Sequence, residues 1–248
     1  MKQALLVVNP AAGAGQGEKR ASQLAEELHR LDITTRIAVT EPHEADSLRE
    51  AICGAEVVIA DGGDGTLNAV AHAILTSSAY QPQRPVIGFL PTGTGNVAIR
   101  AFRLPSRPRD VAALAAAGTT RTIDVGLVVR DGEVGAVFLL WAGVGIDASL
   151  IDAVARRRSR YRGWRLLAQY VSEGLKMAFD YRFPTIVVTS REATGAFGAV
   201  AIANVGKLIF GTISRAADPS DGQVDLIATL PRTRAGWPAG ARAGRRDR

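Results

Sequence analysis

The sequence predicts an α/β protein in which an N-terminal doubly wound parallel sheet is followed by a mainly antiparallel, β-rich second part. In the first hundred residues, short apolar runs alternate with segments of helical periodicity, which is typical of parallel strands joined by crossover helices. After Arg121 the pattern changes to successive strand-like runs. Two of these runs flank Asp131-Gly132, a dipeptide typical of tight β-hairpins.

The elements of the first part follow one another regularly. Helical spacing is clear where Leu24, Leu28 and Leu31 recur, and in LNAVAHAIL, whose apolar residues fall on one face. Short apolar or alternating runs such as ALLVV and TTRIAVT indicate strands. The predicted order is strand 4–8, helix 18–31, strand 34–40, helix 44–52, strand 56–60, helix 67–75 and strand 85–90.

The second part is predicted to contain one helical stretch, residues 147–180, among strands. The strand-like runs after it are PTIVVTS, GAVAIANV and QVDLIATL. We therefore predict an α/β domain at residues 1–120, an incomplete β-rich domain at 121–230 and a disordered basic tail at 231–248. The tail is predicted to be disordered because it consists almost entirely of Arg, Ala, Gly and Pro without periodicity.

The composition narrows the class of protein. The chain has 248 residues, 47% of them hydrophobic, and can bury a substantial core. No apolar run approaches the roughly 18 residues that a membrane span needs, and MKQALLVVNP is too short for a secretory signal. The single cysteine, Cys53, excludes an internal disulfide, is predicted to be a packing residue, and fits a cytoplasmic location.

The net charge of +6 is concentrated in the last 18 residues, which carry six arginines and one aspartate. The rest of the chain is close to neutral, so the charge does not indicate nucleic-acid binding by the folded part. The histidines His29, His43 and His72 have no metal-ligand spacing, and no zinc site is predicted.

The first candidate motif is the glycine-rich segment NPAAGAG, which follows the first strand and precedes a helix. A turn of this kind at the carboxyl end of a parallel strand presents backbone N–H groups to an anion. It matches neither GxGxxG nor the Walker pattern, and an ordinary strand–helix connection is an equal alternative.

The second motif is ADGGDGTLNAV, again between a strand and a helix. Glycines allow the backbone to approach a bulky charged ligand. Thr66 or Asp64 could cap the helix, but capping alone does not require three glycines. A carboxylate beside phosphates suggests a bridging Mg²⁺ or a proton-transfer role for Asp64, while Asp61 is either a helper or a turn residue.

The third motif is LPTGTGN, whose threonines and glycines are expected to offer unpaired N–H and O–H donors. The carboxyl ends of neighbouring parallel strands meet at one edge of a sheet. The three loops are therefore expected to converge there, and their convergence predicts a site for a phosphate-rich ligand.

In this order and spacing, VVNPAAGAG, GGDGTLNAVAHAI and LPTGTGNVAIRAF resemble the diacylglycerol kinase catalytic family, which includes bacterial lipid kinases and the sphingosine and ceramide kinases. RTIDVGLV, WAGVGIDA and ADPSDGQVDLI resemble the second domain of that family, so the resemblance extends over residues 3–229. It implies a two-domain lipid kinase that moves the γ-phosphoryl group of ATP to a lipid hydroxyl, with Mg²⁺ neutralising charge.

The resemblance also implies roles for individual residues. Asp64 would be the catalytic residue that organises Mg-ATP. Asp124 and Asp221 match metal-linked positions, although a plain turn is an equal alternative for Asp221. The implied nucleotide-binding residues are Asn9, Pro10, Gly13, Gly62, Gly63, Gly65, Thr66, Thr92, Gly93, Thr94, Gly95 and Asn96.

The chain departs from the family pattern in three ways. Val97 follows Asn96 where many bacterial members have Asp, and the basic residues nearest the first motif are Lys19 and Arg20. No Asp-Gly-Glu occurs late in the chain, where the family has the aspartate proposed as general base. The sequence is therefore interpreted as a family member that is C-terminally truncated or frameshifted.

Residues 156–165 contain six arginines together with Tyr161 and Trp164. A basic, aromatic-bearing segment of this kind indicates peripheral contact with an anionic membrane. A helix packed on the second part, with its arginines solvated, is the alternative. We expect packing together with peripheral membrane contact.

The leading functional interpretation is an ATP-dependent lipid kinase acting on diacylglycerol or a sphingoid-type alcohol. One alternative is an NAD kinase, which also carries a GGDGT motif, although the NPAAG loop and the β-rich second part argue against it. The other is a nucleotide- or lipid-binding protein that has lost catalysis.

Overall fold

The computed structural model describes residues 2–10, 12, 17–39, 45–77, 84–93, 95–145, 172, 185–190, 194–208, 211–229 and 241–242. The chain divides into two compact units, Met1–Leu139 and Leu140–Arg248.

Alternating strands and helices build the first unit, as the sequence predicts. In chain order they are β1 (Lys2–Val8), α1 (Gly17–His29), β2 (Ile33–Val39), α2 (Ala45–Ile52), β3 (Val57–Gly62), α3 (Asp64–Thr76), β4 (Val86–Pro91), α4 (Val97–Phe102), α5 (Pro108–Ala117), β5 (Gly126–Arg130) and β6 (Glu133–Phe138).

Strands β1 to β4 form one parallel sheet in the order β2-β1-β3-β4. The chain leaves β1 towards β2 on one side and returns to β3 on the other, so the topology reverses between β1 and β3. In open α/β sheets, ligands bind outside the carboxyl ends of the strands at such a switch point. The loops after β1 and β3 both lie there.

Apolar side chains cover both faces of this sheet. On one face, residues of β1, β3 and β4 pack with α1 and α5 in a cluster that contains Leu6, Leu24, Ile59, Leu90 and Val111. The alternating residues of β1 point to the opposite face, where Leu5 and Val7 are also buried. The predicted α/β class is therefore confirmed.

Four local details differ from the sequence prediction. Helix α1 ends at His29, because Asp32 turns the chain with φ 57°, and Leu31 is exposed. Helix α3 begins at Asp64, so part of GGDGT forms its first turn. Helices α4 and α5 were not predicted. Helix α5 starts with Pro108 and ends at Ala117, which the left-handed Gly118 follows. Cys53 is exposed and is not a packing residue.

The hairpin predicted at Asp131-Gly132 is confirmed. Strands β5 and β6 are antiparallel, and the two turn residues have φ values of 52° and 86°, as a two-residue turn between twisted strands requires. The compact first unit includes this hairpin and ends at Leu139. The domain limits at residues 120 and 230 stay predictions.

The second unit is antiparallel and β-rich where it is described. Its strands are β7 (Trp141–Val144), β8 (Ile186–Thr189), β9 (Thr194–Phe197), β10 (Ala199–Ala203), β11 (Lys207–Leu208), β12 (Gly211–Thr212), β13 (Asp225–Thr229) and β14 (Ala241–Arg242). Four of them form a sheet in the order β14-β13-β10-β7. Phe197, Val200 and Ala228 form a small buried cluster.

Two predictions fall mostly on residues outside the described part. The helix at 147–180 is described only at Ser172, which is helical. Of the tail predicted to be disordered, Ala241–Arg242 is described and pairs with β13, so these two residues differ from that prediction.

Within the described residues, no helix is both long enough and apolar enough to cross a bilayer.

Candidate functional site

Three loops meet at the carboxyl ends of β1, β3 and β4. The first loop is residues 9–16, the second loop is residues 62–66 and the third loop is residues 92–96. Gly13 of the first loop and Thr94 of the third loop lie outside the described residues, so their predicted roles stay predictions.

Asn9 joins the first loop to the second. Its backbone N–H donates to the carbonyl of Asp61 at 3.0 Å, and its side-chain Nδ2 donates to Thr66 Oγ1 at 3.1 Å. Pro10, the next residue, is exposed. The buried hydroxyl of Thr66 therefore connects two loops.

The backbone of Gly62 joins the second loop to the third. Its carbonyl accepts the N–H of Thr92 at 2.8 Å and that of Gly93 at 3.0 Å. These bonds and those of Asn9 confirm the predicted convergence of the three loops at one edge of the sheet.

Two of the glycines are required by this close packing. A Cβ on Gly93 would lie 2.5 Å from the Cα of Gly63, and a Cβ on Gly62 would lie 2.2 Å from Thr66 Oγ1. Real Cβ atoms do not approach other atoms so closely in a well-packed interior, so both positions need glycine for the fold itself.

Gly65 is different, because the fold does not require it. It lies in the first turn of α3 and is exposed. Leaving aside its chain neighbours and the backbone of its own helix, no atom of the described residues lies within 4 Å of the place where its Cβ would be. Glycine in a helix costs about 1 kcal/mol relative to alanine, so packing alone does not account for this residue.

The start of α3 is a region of positive potential. The amides of a first helical turn lack intrahelical partners, and the helix dipole places partial positive charge there. Gly63 is the N-cap, and no side chain caps the helix. Thr66 and Leu67 donate to the Gly63 carbonyl, whereas the N–H groups of Asp64 and Gly65 have no acceptor among the described residues. They are candidate donors for an anion.

Asp64 caps a different helix from the one predicted. Its Oδ2 accepts the N–H of Val97 at 3.0 Å and its Oδ1 accepts that of Ala98 at 2.9 Å. These are the first two residues of α4. The expectation that Asp64 or Thr66 caps α3 is therefore wrong, since both side chains hold neighbouring segments.

The end of the third loop is shaped by Asn96. This residue adopts a left-handed conformation with φ 43°, which asparagine tolerates better than most residues. Its Nδ2 donates to the Gly93 carbonyl at 2.7 Å, while its buried Oδ1 has no partner among the described residues. Gly95 is half-buried beside it.

Asp61 is the most buried polar side chain of the site, with 0% exposure. Its Oδ1 accepts a hydrogen bond from Thr92 Oγ1 at 3.0 Å, so the hydroxyl of Thr92 is not the unpaired donor that the sequence suggested. Burial raises the pKa of the Asp61 carboxyl from 3.8 to about 6, and the Thr92 hydrogen bond and the Arg20 charge offset this only partly.

Two further residues, for which the sequence analysis predicted no role, make hydrogen bonds to distant segments of the first unit. The Arg20 guanidinium, on α1, donates to the carbonyl of Pro91 at 2.6 Å and to that of Ser106. Asn68, on α3, donates to the carbonyl of Val137 at 2.9 Å and accepts the N–H of Leu139 at 3.2 Å. The only sequence signal was their position beside glycine-rich motifs.

Asp124 and Asp221, the predicted metal-linked residues, lie in different compact units. Asp124 is half-buried in the first unit, and Asp221, in the second, is exposed and accepts the N–H of Gln223 at 3.0 Å. Within the described residues, no three acidic, histidine or cysteine side chains are placed to hold a metal. Mg²⁺ is usually bound through one or two carboxylates plus substrate phosphates, which this arrangement of residues fits.

Residues 3–128 match the family model of the diacylglycerol kinase catalytic domain. The chain is 35% identical over 128 residues to a protein of Serratia proteamaculans named "Probable lipid kinase YegS-like", covering 50% of this chain and 40% of that protein. It is 30% identical over 156 residues to a diacylglycerol kinase of Mycobacterium tuberculosis, covering 61% and 48%.

A longer match, 25% identical over 246 residues, is to the protein sll0036 of Synechocystis sp. and covers 92% of this chain and 53% of that protein. The chain spans about half the length of the curated relatives it matches. A crystal structure of a diacylglycerol kinase from Bacillus anthracis has the same fold, with a TM-score of 0.63 at 18% identity, and covers 92% of this chain and 73% of that one.

Proposed function

The chain belongs to the diacylglycerol kinase catalytic domain family, and on that premise we propose that it is a lipid kinase that transfers the γ-phosphoryl group of ATP to a lipid hydroxyl. Membership supports a lipid-kinase type of phosphotransferase. We further propose that the nucleotide is ATP, that the metal is Mg²⁺ and that the acceptor is a lipid hydroxyl.

The environment of Gly65 is the main support for the proposal that the site binds a nucleotide. This residue is exposed in the first turn of α3, and no described atom outside that helix and its chain neighbours lies within 4 Å of its Cβ position. A glycine that the fold does not need is explained if a ligand must approach the backbone at this point. The neighbouring amides and the positive end of α3 make a phosphate the fitting ligand.

The proposed roles of the other residues follow from their hydrogen bonds. The N–H groups of Asp64 and Gly65 would bind phosphate oxygens. Asn9, Gly62, Thr92 and Gly93 hold the three loops together through the bonds described above and would fix the shape of the site. Such a site catalyses phosphoryl transfer mainly by positioning and charge stabilisation.

Mg²⁺ would enter with the nucleotide and neutralise charge on its phosphates. The Asp64 carboxylate is the side chain best suited to coordinate the Mg²⁺ ion. Each of its oxygens accepts one N–H and keeps a further lone pair for a metal. Asp124 and Asp221 remain proposed metal-linked residues.

The proposed acceptor is diacylglycerol or a sphingoid-type alcohol. Such a substrate resides in a membrane, so the enzyme would work as a cytoplasmic protein with peripheral contact to the inner membrane face. The arginine-rich segment 156–165, which lies outside the described residues, is the proposed contact.

The test is transfer of labelled γ-phosphate from Mg-ATP to a panel of diacylglycerols and sphingoid bases in mixed micelles, with NAD as a separate acceptor. Labelled lipid is the expected product. Label on NAD instead would assign an NAD kinase. No label from a folded chain that binds ATP would assign a binding protein without turnover.

A further inference from the structure

The two carboxylate oxygens of Asp61 differ in their hydrogen bonding. Oδ1 accepts the hydroxyl of Thr92 at 3.0 Å. Oδ2 is buried and has no hydrogen-bond partner among the described residues. In the sheet, Asp61 is flanked by Val8 of β1 and Leu90 of β4. The interaction with Thr92 is therefore the one direct polar contact described for this carboxylate.

Arg20 on α1 is the charged group that lowers the pKa of this carboxyl, against the larger effect of burial. Its guanidinium is occupied by the carbonyls of Pro91 and Ser106. On the same face, α5 contributes the apolar side chains of Val111 and Ala112. No ion pair to Asp61 occurs among the described residues, so charge pairing does not explain why an acid stands here.

Both hydrogen-bond donors of Thr92, its hydroxyl and its backbone N–H, are paired. Its hydroxyl goes to Asp61 and its N–H to the Gly62 carbonyl. The other end of the third loop is held by Asp64, which binds the amides of Val97 and Ala98. The segment from Asp61 to Asp64 thus fixes the third loop at its first residue and just beyond its last.

We propose that Asp61 is a positioning residue for the third loop, which it anchors through the Thr92 hydroxyl while Asp64 anchors the start of α4. Thr92 then serves as the attachment point of the loop and not as a donor to phosphate. The consequence for nucleotide binding rests on the proposed function, whereas the anchoring itself does not.

Hydrogen exchange of the Thr92 and Gly93 amides tests the anchoring in the absence of nucleotide, because both amides bond to Gly62. Asp61→Ala and Thr92→Val are each expected to raise their exchange rates about tenfold, as loss of a buried hydrogen bond to a charged group predicts. Asp61→Asn and Thr92→Ser keep an acceptor and a hydroxyl and should restore most of the protection. The amide of Leu6 in β1 reports global opening and should not accelerate.

The double variant Asp61→Ala/Thr92→Val should exchange no faster than either single variant, since both remove the same interaction. Unchanged exchange at Thr92 and Gly93 in Asp61→Ala, or additive effects in the double variant, would overturn the proposal.

A kinetic measurement separates this proposal from the proposed function. If the protein uses ATP, Asp61→Ala and Thr92→Val should raise KM for Mg-ATP about tenfold with a smaller change in kcat, and Thr92→Ser should not. A raised KM without altered exchange would make Asp61 a direct ligand contact and overturn the positioning role. If wild-type protein neither binds nor uses ATP, the proposed function fails, and the exchange rates alone decide the anchoring.

Discussion

The carboxylate of Asp64 and the amide of Ala98 lie 2.9 Å apart and form a hydrogen bond across 34 residues of sequence. This bond, with its neighbour to Val97, attaches the start of α4 to the start of α3. The aspartate of GGDGT therefore has a structural task in the protein before any ligand arrives. Its carboxylate caps α4, while the N-terminal amides of its own helix, α3, remain available to bind an anion.

Asp64→Asn should lower the free energy of unfolding by about 1–3 kcal/mol, because an amide side chain can accept only one of the two N–H groups and turns its own N–H₂ towards the other. Urea denaturation measures the change. Asp110→Asn, at an exposed position in the first turn of α5, is the control and should change stability by less than about 0.5 kcal/mol.

A purely catalytic Asp64 would behave differently. If Asp64→Asn abolished phosphoryl transfer but left the unfolding free energy unchanged, the capping bonds would contribute nothing measurable, and Asp64 would act on the nucleotide or its metal alone.

Gly65→Ala should separate folding from binding. Because the Cβ would meet no other segment among the described residues, alanine should raise the free energy of unfolding by up to about 1 kcal/mol. The same methyl group would stand where the nucleotide phosphate is proposed to approach, so the Kd for Mg-ATP should rise at least about tenfold, which is roughly 1.4 kcal/mol. Calorimetric titration and thermal unfolding on one preparation give both values. Unchanged ATP affinity would remove Gly65 from the site.

Gly93→Ala should change the free energy of unfolding in the opposite direction from Gly65→Ala. Its Cβ would lie 2.5 Å from the Cα of Gly63 and 2.9 Å from Asn96 Oδ1, and the second and third loops would have to separate. We expect a loss of about 1–3 kcal/mol in the free energy of unfolding, as for other overpacked sites. Retained wild-type stability would mean that the two loops are not packed as closely as described.

Asp61→Asn should stabilise the protein in a pH-dependent way. Burial raises the pKa of Asp61 to about 6, so between about pH 4 and pH 6 the folded protein holds a proton that the unfolded chain has lost, and stability falls as the pH rises through this window. Above that window, the cost of the buried charge is on the order of 3 kcal/mol. Asparagine removes this cost and keeps an acceptor for Thr92.

The measurement is the difference in unfolding free energy between Asp61→Asn and wild type at pH 7.5 and at pH 4.5. The variant should be the more stable protein at pH 7.5, and the difference should shrink at pH 4.5. A variant that is less stable at pH 7.5 would show that the ionised carboxylate makes favourable interactions larger than its desolvation cost.

The sequence was sufficient for the parts of the fold that depend on periodicity. Alternating apolar runs predicted β1 to β4 and the helices between them, and Asp131-Gly132 predicted the β5–β6 hairpin. The convergence of the three loops followed from the rule that parallel strands end at one edge. These predictions succeed because they depend on local pattern and on general topology.

The sequence was insufficient to predict features of the structure that depend on contacts between residues far apart in the chain. No periodicity shows that Asp64 caps α4, that Thr92 gives its hydroxyl to Asp61, or that Asn68 binds the end of β6. The distinction between Gly62 and Gly93, which the fold needs, and Gly65, which it does not, requires the positions of neighbouring atoms. Helix α5 was missed although Pro108 and Gly118 mark its ends.

Our central proposal is that the second and third loops bind one nucleotide, and the most direct measurement is a hydrogen-exchange footprint of Mg-ATP on the intact protein. We expect slower exchange at residues 62–66 and 92–98, and no change along the β2 edge at residues 33–39. If the protein binds Mg-ATP while these two loops exchange as before and protection appears elsewhere, the nucleotide site is not where the glycines place it.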